Sequence, residues 1–150
     1  MNGITSLLEL GDMEVLSFEQ NSDSIFLQVE KARETQVCPR CGALTDKVHD
    51  YRIQQIRDLP VQGRNVYWNY RKRRYCCPCC EKRFYEKCAL LPKYHQITNR
   101  VAFCALDELS RKQSMKDIAE RMNVSPSRVS QYTTRVPHSH VRLLVELRST

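Results

Sequence analysis

The chain has no long apolar run. None of its hydrophobic stretches approaches the roughly 20 residues of a membrane span, which argues against a membrane-embedded function. Its N-terminus lacks a basic start, a long apolar stretch and a small-residue cleavage site, so a secretory signal is not expected. Glu9, Asp12 and Glu14 interrupt the first 16 residues instead. Low-complexity tracts are absent, and so is any internal repeat beyond one short cysteine motif. Hydrophobic residues make up 41%, slightly below the usual share but enough for a packed core. At 150 residues there is room for one ordinary domain or two small ones.

What the chain does have is cysteine and positive charge. Eight cysteines in an extracellular protein would suggest a disulfide scaffold. Without a secretory signal, paired cysteines at two-residue gaps read as metal ligands. A cytoplasmic location is expected on these grounds. The net charge of +7 is unevenly spread. Residues 1–36 have a balance of −5, residues 37–100 of +9, and residues 101–150 of +3. Positive charge gathered on one segment is the electrostatic footprint of a phosphate-binding surface. A merely soluble basic face is the plainer alternative.

The first third alternates. Met13–Glu19 and Ser24–Glu30 read as two strands, and Gln20-Asn21-Ser22-Asp23 as the turn between them. This hairpin is expected to pack against the cysteine-containing unit. Residues 47–57 and 64–75 also read as extended, with Asp58–Gly63 as their connection. Val66-Tyr67-Trp68-Asn69-Tyr70 is aromatic and β-branched, as strands prefer.

From Thr98 the period changes. Val101, Ala102, Ala105, Leu106 and Leu109 fall on one helical stripe, with Thr98 as the expected N-cap. Ser114 with Asp117 marks a second helix start, and Ser125-Pro126 a third. Beyond Pro137 the pattern weakens, and residues 142–147 form a short helix or a loose tail. The expected class is α+β. A β-rich zinc-binding domain occupies 1–94, a helix-turn-helix domain 95–136, and a weakly structured tail 137–150.

Two knuckles carry the chemistry: Cys38-Pro39-Arg40-Cys41 and Cys77-Pro78-Cys79-Cys80. Each spacing lets a tight turn aim two thiolates at one ion, and four sulfurs complete a closed, structural zinc site. Register at the second knuckle is ambiguous, because Cys76 and Cys79 fit the same gap. Pro78 follows Cys77 as Pro39 follows Cys38, which favours Cys77 and Cys80. Cys88 and Cys104 lack nearby partners and read as small core residues. Four cysteines fill the tetrahedron, so His49 and His95 are not needed as ligands.

Met115–Thr134 fits the twenty-residue helix-turn-helix pattern. Ile118 and Ala119 lie in its first helix, Asn123 at the turn, and Val124, Val129 and Tyr132 at the apolar positions. Ser127, Arg128, Gln131, Thr134 and Arg135 form one stripe of the following helix. Arg can read guanine and Gln adenine, while Ser and Thr meet phosphates or base edges. Arg71, Lys72, Arg73 and Arg74 are the candidate phosphate contacts. An ordinary helical hairpin is the plainer alternative.

Taken together, these motifs resemble the ISL-three family of insertion-sequence transposases. The resemblance runs through Cys38-Pro39-Arg40-Cys41-Gly42, His49-Asp50-Tyr51, Ile56-Arg57-Asp58-Leu59-Pro60 and Arg73-Arg74-Tyr75-Cys76-Cys77-Pro78-Cys79-Cys80 to Arg83-Phe84. It continues in the helix-turn-helix segment Asp117–Ser125. It implies Cys77 and Cys80 as ligands, since the family has a basic residue where Cys76 stands. It also implies one structural zinc ion and binding to double-stranded DNA at the terminal inverted repeats of a mobile element. A homo-oligomer on DNA is compatible with this role; no membrane and no small-molecule substrate are expected. Family members carry an acidic catalytic domain, which these 150 residues do not contain. No enzymatic activity is therefore expected of this chain alone. The alternative is a helix-turn-helix transcriptional regulator with a zinc ribbon.

Overall fold

In the computed structural model the described residues are 10–91, 96–111 and 113–134. Chain order gives β1 (Met13–Gln20), β2 (Ser24–Lys31), β3 (Gln36–Val37), β4 (Leu44–Thr45), β5 (Val48–Val61), β6 (Arg64–Cys76) and β7 (Arg83–Tyr85). The helices follow: α1 (Asn99–Ser110), α2 (Met115–Met122) and α3 (Pro126–Thr134). The architecture is mixed α+β, with a β-rich part carrying a cysteine cluster and then the three helices. No helix among the described residues is long and apolar enough to cross a membrane. The expected tail, 137–150, lies outside the described residues, as does Arg135.

The main sheet runs β1-β2-β6-β5, with β7 also paired to β6. β1 and β2 form the expected antiparallel hairpin, with a register shift between Val15 and Ser17. This hairpin does more than pack on the cysteine-bearing part. β2 pairs in parallel with β6 from Ser24↔Asn65 to Val29↔Tyr70, so both belong to one sheet. Alternation sends Leu27, Val29, Ile56, Val66, Trp68 and Tyr70 into one core with Leu10 and Met13. Cys88 packs against that core, as its lack of a partner cysteine suggested.

The connection expected over Asp58–Gly63 is much shorter. β5 runs on to Val61, which pairs Arg64, leaving a two-residue turn at Gln62 (φ 51°) and Gly63 (φ 75°). Positive φ at both central positions matches the twist of a two-residue hairpin. A register shift between Asp58 and Val61 absorbs one extra residue there. Pro60, with no N–H to give the ladder, falls within that bulge.

The helices share a second core of Ile97, Val101, Ala102, Ala105, Ile118, Ala119, Met122, Val129 and Tyr132, with Leu59 of β5 packed against it. Thr98 has the extended backbone of an N-cap, but its side chain makes no cap bond. Its hydroxyl instead donates to the buried Asp58 carboxylate at 2.7 Å. The Arg100 guanidinium closes on the same carboxylate, through Nε at 2.7 Å and through Nη2. α2 keeps its expected cap: Asp117 N–H donates to Ser114 Oγ at 3.1 Å, and that hydroxyl donates to the Asp117 carboxylate at 2.6 Å.

Candidate functional site

The two knuckles are built alike. In the first, Gly42 N–H donates to Cys38 O at 3.0 Å and Cys38 N–H to Ala43 O at 2.9 Å. In the second, Glu81 N–H donates to Cys77 O and Cys77 N–H to Lys82 O, each at 3.0 Å. Gly42 (φ 75°) and Glu81 (φ 57°) take the same left-handed position. The β3–β4 ribbon (Gln36↔Thr45, Val37↔Leu44) carries the first turn, and β6–β7 (Cys76↔Arg83) the second. Thr45 Oγ1 donates to Cys76 O at 2.9 Å and Cys76 N–H to Lys47 O at 3.0 Å, holding the turns face to face.

These turns bring the sulfurs of Cys38, Cys41, Cys77 and Cys80 within 4.8 Å of one another. Cys38 and Cys80 stand 3.6 Å apart, Cys41 and Cys77 3.5 Å. A disulfide would need about 2.05 Å. A tetrahedron with Zn–S bonds of about 2.3 Å has edges of about 3.8 Å, so the spacing fits a shared ion. Backbone N–H groups of Cys80 and Cys79 draw the Cys77 thiol down to about 6. Cys41 has the Ala43 N–H to favour its thiolate, yet crowding by the Cys77 and Cys80 sulfurs pushes it up to about 12. Four sulfurs this close ionise together only around a cation. The site therefore holds one structural zinc ion. Cys76 points its sulfur toward its neighbour's carbonyl and Cys79 is exposed, so the frame is the Cys77–Cys80 one.

The basic run on β6 is divided. Side chains alternate along a strand, so Arg71 and Arg73 project oppositely to Lys72 and Arg74. Arg71 is exposed and stacks on Tyr51, its guanidinium 3.9 Å from the ring centroid. Lys72 and Arg74 lie beside the Tyr85 ring, and Arg74 also pairs with Asp50 at 3.3 Å. Arg73 corrects the expectation. It is 5% exposed, pairs with Glu30 (3.4 Å) and Glu86 (3.5 Å), and donates to Lys31 O. Burial against two carboxylates makes it a structural cation, not a phosphate contact.

The α2–α3 helix pair is fixed to the sheet. Asn123 is left-handed at the C-cap of α2 (φ 53°, ψ 49°). Arg57 of β5 donates to Asn123 O at 2.7 Å and Met122 O at 3.2 Å, and also to Asn65 Oδ1 at 2.7 Å. Asn123 Nδ2 donates to the same Asn65 oxygen at 3.0 Å. Val129 and Tyr132 are buried, while Ser127, Arg128, Gln131 and Thr134 are exposed on α3. The Thr134 hydroxyl donates back to Ser130 O at 3.0 Å. Ser127, Arg128 and Gln131 line one wall of a cleft of about 780 Å³, and Gln55, Arg57 and Tyr67 of the sheet line the other. Sequence reasoning missed that sheet wall, whose alternation in β5 and β6 was the available signal.

Residues 34–80 match a family described as the zinc-finger of transposase IS204/IS1001/IS1096/IS1165. The chain is also 27% identical over 84 residues to the transposase for insertion sequence element IS1001 of Bordetella parapertussis. That alignment covers 56% of this chain and 21% of the relative, about a fifth of its length. No solved structure matches the chain.

Proposed function

We propose that this chain, which carries the zinc finger of the ISL-three transposase type over residues 34–80, is a sequence-specific DNA-binding module of such a transposase. In this reading zinc ties the two ribbons together, α3 enters the major groove, and the recognised sequence is a terminal inverted repeat. Arg128 and Gln131 read base edges, with Ser127 beside them, and Arg71 holds phosphate. Among the described residues the four cysteines are the one cluster of three or more metal-ligating side chains, and it is closed. Their zinc is accordingly assigned to folding and not to strand cleavage.

One observation carries this reading: a helix pair with a left-handed Asn123 turn is locked by Arg57 and Asn65 onto the sheet that bears the cysteine site. A gel-shift series on the zinc-loaded chain tests it, with element-end duplex against scrambled duplex at physiological salt. Specific recognition predicts a preference of roughly a thousandfold or more. Equal affinity for the two duplexes would refute it.

A further inference from the structure

We propose that the cleft between α3 and the sheet is the channel for the sugar–phosphate backbone of one DNA strand, and this rests on the DNA-binding reading above. The cleft measures about 780 Å³, and none of its ten lining residues is acidic. Clefts for small organic ligands are mostly apolar, whereas this one presents Gln55, Tyr67 and Gln96 opposite Ser127, Arg128 and Gln131. On the sheet side, the Gln55 and Gln96 amides and the Tyr67 phenol are of the kind that meet phosphate and sugar in protein–DNA complexes, while the α3 side keeps the base edges. Arg57 and Arg128 also line it, and neither has a carboxylate within ion-pair distance among the described residues. Tyr132 is only 6% exposed and also lines the cleft, and its hydroxyl has no hydrogen-bond partner among the described residues. A buried donor is therefore left over beside the cleft.

Geometry decides which part of the duplex enters. A helix in a major groove about 12 Å wide has a phosphate backbone on either side. The sheet stands on one side of α3, fixed there by Arg57. A strand bordering the groove must pass between that wall and the helix. Gln55 is exposed on β5, opposite Asn69 in register, and its amide lies in the path.

The test uses the full zinc-loaded chain on element-end and scrambled duplexes over a range of salt. Gln55→Glu should lower affinity at least tenfold for element-end and scrambled duplexes alike. Gln55→Lys should raise affinity and steepen the slope of log K against log salt by about one, as one added phosphate contact does. Gln96→Glu repeats the charge test from a loop, should the strand variant misfold, and Thr35→Glu adds the same charge outside the cleft. Wild-type affinity and slope in the Gln55 and Gln96 variants, with loss in Arg128→Ala, would overturn the channel while leaving the DNA-binding reading intact. If the wild-type chain binds no duplex even at low salt, both fall.

Discussion

Arg57 reaches from the edge strand β5 to the turn of the helix pair, with Nη2 2.7 Å from the carbonyl oxygen of Asn123. It also takes the Met122 carbonyl, so a cation sits where α2 ends and the dipole is negative. Arg57→Ala removes these charge-assisted bonds and the one to Asn65 together. Stability should fall by about 2 kcal/mol, while zinc content stays unchanged. Preference for element-end over scrambled duplex should shrink, because α3 is no longer held against the sheet. Thermal melting and gel shift on the same variant check both outcomes, and an undiminished preference would show that the latch has no part in recognition.

Arg71 and Arg73 are two residues apart on one strand, yet they should behave differently on substitution. Arg73 is buried with Glu86, itself 2% exposed, and with Glu30. Arg73→Ala would leave Glu86 buried without its cation, at a cost of about 3–5 kcal/mol. Arg71 is exposed, and its stacking on Tyr51 contributes on the order of 0.5–1 kcal/mol. Arg71→Ala should therefore barely change melting but should flatten the salt dependence of duplex binding. Comparable melting temperatures for the two variants would contradict this division.

What could be read from the sequence was whatever depends on local spacing. The knuckles, the β1–β2 hairpin, the Ser114–Asp117 cap and the left-handed Asn123 follow from neighbours in the chain. Arg73 could not be assigned this way, because Glu86 comes from beyond the second knuckle and only the fold brings the two together. Thr98 is the N-cap by its backbone, as its position implies, but local pattern cannot anticipate Asp58, forty residues away, taking its hydroxyl. The continuation of β5 past Asp58 was hidden by Pro60, which the bulge accommodates. The cleft wall of Gln55, Arg57 and Tyr67 depends on where α3 docks, which no local period encodes.

The cysteine frame predicts a sharp pattern of metal content. Cys38→Ser or Cys77→Ser should abolish stoichiometric zinc, and with it the pairing of the two ribbons, since structural zinc provides about 10–16 kcal/mol of apparent binding energy. Cys76→Ser and Cys79→Ser should keep one zinc per chain. Elemental analysis with a zinc-release titration reads this directly; loss of metal in Cys76→Ser would restore the alternative frame.

The cap of α2 predicts a pH response. The Ser114 hydroxyl, followed by backbone bonding to Ser114, holds the Asp117 carboxyl below its ordinary range. A depressed folded-state value stabilises the protein above the unfolded value of about 3.9, and this stabilisation is lost as pH falls through the lower folded value. Ser114→Ala should move the Asp117 titration upward toward the ordinary range. Carbon-detected NMR titration of that carboxyl measures the shift, and an unmoved midpoint would mean the hydroxyl is not its cause.

One difference between the matched knuckles, Gly42 against Glu81, should be measurable. Gly42 and Glu81 both follow the second ligand of their pair and both have positive φ. A Cβ built at Gly42 meets no atom within 4 Å, so Gly42→Ala would suffer backbone strain alone. That strain is about 1 kcal/mol for an L-residue in the left-handed region, and Glu81 already bears it. Glu81→Gly should then stabilise the second knuckle, and Gly42→Ala should destabilise the first by a similar amount. Opposite shifts in zinc affinity, followed by competition with a chelator, would establish the paired turns as equivalent; shifts of the same sign would show that the Glu81 side chain has a role of its own.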